Sequence, residues 1–229
     1  MTNNLNNGYK TMIYYNYKKV SCYTIREIQT ILSLNNLINK ADTIEEKILS
    51  ISADKNDRQM IQLLEENDFK ARYDWFIYEV NNSNYQISDY IIEIPNRKEI
   101  EELLIHQLHE CSERMPQLFN EKGEDDDWVD LGEVALGYII NNKVVSILTF
   151  SIKEDNSIHI YLTYTKPEYR SQGLSTKMFD FIKNYASQNR IKIITVCTDV
   201  SEGNRVPNMF YKNGFKYFKT SYTKFLKEG

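Results

Sequence analysis

Between Thr163 and Phe179 the chain reads TYTKPEYRSQGLSTKMF. An apolar, β-prone run ends at Thr165, Pro167 breaks it, and a helical spacing of apolar residues begins near Gly173 or Leu174. The first backbone N–H groups of that helix, over Ser171 to Ser175, lack intrahelical partners and carry the positive end of the helix dipole, an arrangement that attracts phosphate. Gly173 removes a side chain where an anion must approach the backbone, and Arg170 can add charge-assisted hydrogen bonds. The stretch predicts an anion cradle. The plainer reading of the same residues is a strand-to-helix turn capped by Ser171.

The elements on either side of this corner set the fold class. Upstream, three β-prone runs form a meander: Val134 to Ile140, Val144 to Ile152 and Ile158 to Thr165. Asn141-Asn142 and Asp155-Asn156-Ser157 supply the turns, because Asn and Asp tolerate left-handed backbone. A strand over Tyr90 to Ile94 and an amphipathic helix (Ile100, Leu103, Leu104, Leu108, Cys111) precede the meander, and Pro116 stops that helix. Downstream, an amphipathic helix (Leu174, Met178, Phe181, Ile182, Tyr185) leads to a strand from Ile191 to Cys197, a short helix up to Tyr211 and two aromatic-rich strands through Leu226. This order is α/β with a mixed sheet and a crossover helix between two strands.

Composition excludes several classes. The 229 residues carry 28 Lys and Arg against 32 Asp and Glu, a net charge of −4, with none of the basic excess of a nucleic-acid binder. No apolar run approaches the roughly 20 residues needed to span a bilayer, so no membrane contact is expected. The opening MTNNLNNGYKT is polar, and Cys22, Cys111 and Cys197 are odd in number and far apart. Free thiols in a reducing, cytoplasmic setting are the expectation. His106 and His109 lie three apart without an evident third ligand, so no metal is expected.

The corner resembles the central motif of the GNAT acetyltransferase superfamily, V-x-P-x-x-R/Q-x-x-G-x-G/A. Thr165, Pro167, Arg170, Gly173 and Ser175 match it, with Thr in place of Val and Ser in place of the last small residue. A second family motif, N-x-x-A-x-x-[LF]-Y-x-x-x-G-F, is met by Asn204, Pro207, Phe210, Tyr211, Gly214 and Phe215, with one residue fewer between Tyr211 and Gly214. The resemblance covers roughly residues 90–227.

It implies the GNAT fold and transfer of an acetyl group from acetyl-coenzyme A to an amine. The backbone of Thr163, Tyr164 and Thr165 would pair with the pantetheine arm. Arg170, Ser171, Gln172, Gly173, Leu174 and Ser175 would hold the pyrophosphate, and Asn204 would contact the cofactor arm. Tyr211 would stand near the thioester sulfur as general acid, where a phenol can protonate a thiolate. Six residues before the Val position, where the family often carries its base, stands His159. Positions 159, 161, 163 and 165 alternate onto one strand face, so His159 and Tyr161 should look the same way. An imidazole suits a base that works near neutral pH, directly or through water.

The first eighty residues read as a worn copy of the second part. Moved by 145 positions, Ile13–Asp54 face Ile158–Asp199 without a gap, and Lys47, Ile48 and Asp54 match Lys192, Ile193 and Asp199. ENDFK (Glu66–Lys70) resembles KNGFK (Lys212–Lys216). In this alignment Ile25 faces Arg170, Ile28 faces Gly173, and Leu64 takes the place of Tyr211, so the copy would not cradle coenzyme A. The expected organisation is a degenerate, non-catalytic half-domain over 1–84 and a catalytic domain over 85–229, joined near Asn81-Asn82-Ser83-Asn84. The half-domain would wall the acceptor cleft or make a homodimer contact.

The acceptor is less legible. Glu110, Glu113 and the run Glu124-Asp125-Asp126-Asp127-Trp128 would favour a cationic amine, either a small molecule or a protein amino group, unless they form only a solvated loop. The rival to an enzyme is a coenzyme A-binding regulatory or scaffold module without turnover.

Overall fold

A computed structural model describes residues 8–15, 18–25, 48–81, 85, 87–94, 103, 132–200 and 205–225. Ten strands form one mixed sheet. They are β1 (Gly8–Tyr15), β2 (Lys18–Ile25), β3 (Ile48–Asp54), β4 (Lys70–Glu79), β5 (Ile91–Glu93), β6 (Val134–Ile140), β7 (Lys143–Ile152), β8 (Ile158–Thr165), β9 (Ile193–Asp199) and β10 (Lys216–Phe225). The described helices are α1 (Arg58–Glu66), α2 (Leu174–Gln188) and α3 (Arg205–Lys212). Among these helices none is long and apolar enough to cross a membrane.

The meander falls where the turn chemistry puts it. Asn141 and Asn142 both adopt positive φ, 50° and 58°, as a two-residue hairpin that follows the strand twist demands. The C-terminal residues depart from expectation. They form a single strand, β10, rather than two, and β10 pairs with β3 over 219–225 and with β4 over 216–223.

Strand order is β1-β2-β3-β10-β4-β9-β8-β7-β6-β5. The last strand of the chain thus lies between β3 and β4, and β4 lies between β10 and β9. Moving Asp54 forward by 145 and Lys219 back by 146 turns the pair Asp54↔Lys219 into Asp199↔Tyr73, which is also a pair, so the two halves exchange strands with the same register. The repeat extends to the corners: Asp68 (φ 62°) and Gly214 (φ 80°) both turn left-handed after their helices. Phe69 N–H donates to the Leu64 carbonyl as Phe215 N–H does to the Phe210 carbonyl. Leu64 therefore corresponds to Phe210, and Glu65 to Tyr211, one place off the alignment drawn from sequence.

The first part of the repeat also shifts. β2 pairs parallel to β3 with Ile25 opposite Ile51, and β8 pairs parallel to β9 with Ile160 opposite Val196. Since 51 + 145 = 196 while 25 + 135 = 160, Ile25 corresponds to Ile160 and not to Arg170. The gap-free slide fails there because the parallel pairing, not the linear count, sets the register.

Two cores cover the helix side of the sheet. Phe76, Met178, Phe179, Ile182, Phe210 and Phe215 pack under α2 and α3; Leu49, Ile51, Met60, Leu64, Phe69 and Tyr222 pack under α1. Ile94, Leu103, Ile147, Leu162 and Tyr164 form a third cluster.

Candidate active site

A bulge decides the geometry of β8. Along β7 the register steps from Thr149↔Leu162 to Phe150↔Ile160, leaving Tyr161 as the extra residue. Such a bulge bends its strand and reverses the side-chain alternation beyond it. Ile158 and Ile160 pack under α2, whereas Leu162 and Tyr164 pack in the third cluster with Ile147. Thr165 instead meets Ser175 of α2, their hydroxyl oxygens 3.4 Å apart. The expected common face of His159, Tyr161, Thr163 and Thr165 is therefore broken at Tyr161. His159 and Tyr161 do meet, edge to face at 4.7 Å between ring centroids.

The same bulge marks where β8 leaves β9. Parallel pairing runs from Ile158↔Ile194 to Ile160↔Val196 and stops, although both strands continue. The splayed ends enclose a cavity of about 410 Å³, bounded by β8 from Tyr161, by Val196 to Thr198 of β9, by the first turn of α2, and by Val206, Met209 and Phe210 of α3. Of the residues expected to hold the cofactor, Thr163, Tyr164, Thr165, Arg170, Ser171, Gly173, Leu174 and Ser175 all line it.

The floor of the cavity is the corner between β8 and α2. Ser171 (φ 61°) and Gly173 (φ 74°) are both left-handed. Gly173 is the N-cap, with no side-chain hydrogen bond to the first N–H groups of α2. In α1, by contrast, Asp57 caps the helix by accepting from the Met60 N–H at 3.0 Å. The cap that Ser171 was expected to offer in the plainer reading is not formed. A Cβ built on Gly173 meets no atom within 4 Å, so the space over these amides is open.

Neighbouring side chains brace the corner. Arg170 Nε donates to the Thr165 carbonyl at 2.9 Å and its guanidinium lies 5.5 Å from the Tyr164 ring centre. The Thr165 hydroxyl lies 2.8 Å from that of Ser146, itself buried, which donates to the Tyr164 carbonyl. The two departures from the family motif, Thr165 and Ser175, thus belong to one hydroxyl chain. Gln172 turns away, its amide donating to the Glu168 carbonyl at 3.3 Å. Asn204, His106, His109, Glu110, Glu113 and the Glu124–Trp128 run lie outside the described residues.

Tyr211 is displaced from the place expected of it. Its ring stands edge-on to Phe76 at 5.5 Å, it is half exposed, and it is not part of the cavity wall. The missing residue before Gly214 explains this. Counted back from Gly214-Phe215, the motif's Tyr position falls on Phe210, which does line the cavity, and one residue is about 100° of helix rotation. Counting forward from Asn204 alone does not reveal the rotation.

His159 is not on the cavity wall either, but its neighbour Tyr161 is. Nδ1 of His159 lies 3.0 Å from Thr195 Oγ1, and the ring packs 5.4 Å from Trp75 of β4. Lys153 Nζ bonds the Tyr161 hydroxyl, and Lys219 Nζ sits 4.7 Å over the Trp75 ring. Burial pushes the Cys197 thiol up to about 12 against a small opposing effect of Lys219, so it is not a nucleophile at neutral pH. Desolvation lowers the Lys219 pKa. Sequence reading missed Trp75, Thr195 and Lys219 because they come from strands that only the sheet order makes neighbours.

A family model for the acetyltransferase (GNAT) family matches residues 98–215, just over half of the chain, which belongs to this family. Solved structures share the fold. A GCN5-related N-acetyltransferase from Sphaerobacter thermophilus is 11% identical with a TM-score of 0.57, covering 97% of this chain and 78% of that one. An acetyltransferase from the GNAT family of Colwellia psychrerythraea is 10% identical with a TM-score of 0.54, covering 94% and 84%. A tandem GNAT protein from the clavulanic acid biosynthesis pathway is 7% identical with a TM-score of 0.53, covering 96% and 80%. No match was found among curated proteins.

Proposed function

We propose that the protein transfers an acetyl group from acetyl-coenzyme A to a primary amine. The observation that carries this reading is the opening between β8 and β9, which ends on the uncapped first turn of α2 beside Gly173. Beyond Ile160 the edge of β8 that β9 leaves can pair with the amide-bearing pantetheine arm, and the open amides with Arg170 can receive the diphosphate. The amine nitrogen attacks the thioester carbonyl, the C–S bond breaks, and coenzyme A leaves as a thiolate that takes up a proton. His159 accepts the proton released by the amine, through water where it does not reach the nitrogen itself.

Residues 1–84 fit the same reading as a degenerate repeat that lends β4 to the catalytic sheet and receives β10 in exchange.

The displacement of Tyr211 favours a second reading, a coenzyme A-binding module without turnover. Thiol release from acetyl-coenzyme A with polyamines, aminoglycosides, amino acids and basic peptides separates the two. Turnover of any amine, lost in His159→Ala, supports the enzyme. Acetyl-coenzyme A binding with no thiol release across the panel supports the module. Absence of binding refutes both.

A further inference from the structure

His159 is held by groups from two other strands, β9 and β4, and by Tyr161 of its own. Its Nδ1 lies 3.0 Å from Thr195 Oγ1 on β9, and the same oxygen is 3.3 Å from the Ile158 carbonyl. A threonine hydroxyl has one proton. A carbonyl can only accept, so that proton points to Ile158, and Oγ1 turns a lone pair to the imidazole. Nδ1 must then carry the hydrogen of the neutral ring, and the basic lone pair resides on Nε2.

The ring is also fixed in plane. Trp75 packs 5.4 Å from it on one side, and Tyr161 stands edge to face at 4.7 Å. Trp75 is itself pinned, its Nε1 donating to Ser221 Oγ on β10 at 2.8 Å, with Ser52 Oγ of β3 a further 2.9 Å on. Among the described residues, Lys153 lies at Tyr161 and Lys219 at Trp75.

We infer that Thr195 is a positioning residue that holds His159 as the Nδ1–H tautomer, with Nε2 as the proton acceptor, while Trp75 of the N-terminal half fixes the plane of the ring. The catalytic meaning of this contact rests on the reading of His159 as base; the tautomer does not.

The test uses the full chain with 15N-labelled histidine, carrying His106→Gln and His109→Gln so that His159 alone is observed. At about pH 8.5, above the ordinary imidazole pKa of about 6.5, long-range 1H–15N spectra distinguish the two ring nitrogens. The expected result is a protonated Nδ1 that gives way to protonated Nε2, or to a mixture, in Thr195→Val and is retained in Thr195→Ser. With an amine that turns over, Thr195→Val lowers kcat by about tenfold or more, Thr195→Ser restores it, and the acetyl-coenzyme A Kd of both stays within about twofold. That unchanged Kd also shows that the variants fold.

An Nε2–H tautomer in the parent, or a tautomer indifferent to Thr195→Val, overturns the inference. A tautomer that follows Thr195 while His159→Ala keeps full turnover overturns the reading of His159 as base and, with it, the positioning role.

Discussion

Placing a side chain at Gly173 separates the cost of the corner's backbone from its use. Its φ of 74° is left-handed, and alanine there costs about 1–2 kcal/mol of folding free energy. The new Cβ meets no atom within 4 Å, so no steric cost is added in the ligand-free protein. For a chain of this size each kcal/mol lowers Tm by about 2–4 °C, giving a drop of about 2–8 °C. The same Cβ projects into open space beside the first turn of α2. Loss of one charge-assisted hydrogen bond, about 1.5–3 kcal/mol, would weaken acetyl-coenzyme A about 10- to 100-fold. At a concentration about 100 times the parent Kd, ligand stabilises the parent by about 2.7 kcal/mol and the variant by only about 0.4–1.4 kcal/mol. Thermal melts with and without acetyl-coenzyme A, for Gly173→Ala and the bulkier Gly173→Val, read both quantities. Asn142→Ala is the control, since Asn142 is also left-handed at 58° but lies in a hairpin outside the cavity wall. It should lose similar stability and keep the full ligand shift. If Gly173→Val keeps the full shift as well, the diphosphate does not sit at this corner and the cofactor assignment fails.

Three other outcomes follow from particular contacts. Tyr211→Phe should leave turnover within about threefold, because Phe210 rather than Tyr211 lines the cavity; a hundredfold loss in thiol release would return Tyr211 to the chemistry. Cys197, on the cavity wall with its pKa pushed up to about 12 by burial, should resist iodoacetamide at pH 8 in a Cys22→Ser, Cys111→Ser background, labelling at less than about a thousandth of the unfolded rate. Since its folded pKa exceeds the unfolded 9.0, the stability it confers is complete below pH 9 and lost as pH rises through 12, so Cys197→Ala should flatten urea-midpoint losses in that window. Fragments 1–84 and 85–229, expressed separately, should each fail to fold and should recover acetyl-coenzyme A binding when co-expressed, because β4 and β10 each lie in the other half's part of the sheet. A folded, binding-competent 85–229 would show that the strand exchange is dispensable.

What could be read from the chain was local chemistry, and what could not be read was pairing. Asn141-Asn142 announced a hairpin because two adjacent residues that tolerate positive φ can do little else between β-prone runs, and the bounds of β6, β7 and β8 followed within a residue. The bulge at Tyr161 has no such signature. It arises from fitting β8 against β7, yet it opens the cleft and puts Thr165 on the helix side, away from the face His159 occupies. The repeat divides in the same way. β3, α1 and β4 keep a near-constant offset from β9, α3 and β10 because each helix joins a strand to another one place beyond its neighbour in the sheet. β2 is free of that constraint and slips by ten positions, since 145 − 135 = 10. Tyr211 shows how short counts fail: a single residue missing from a helix end changes no element and leaves the motif recognisable, but rotates a phenol out of the cleft. His159 could be found by counting along its own strand. Thr195, Trp75 and Ser221, which fix how its ring sits, come from three strands whose residues lie up to 146 positions apart in sequence, and only the exchange of β4 for β10 brings them together. The strand that carries Trp75 lies in the N-terminal half of the chain, and the sheet order that seats β4 beside β9 is what sets Trp75 against the ring of His159.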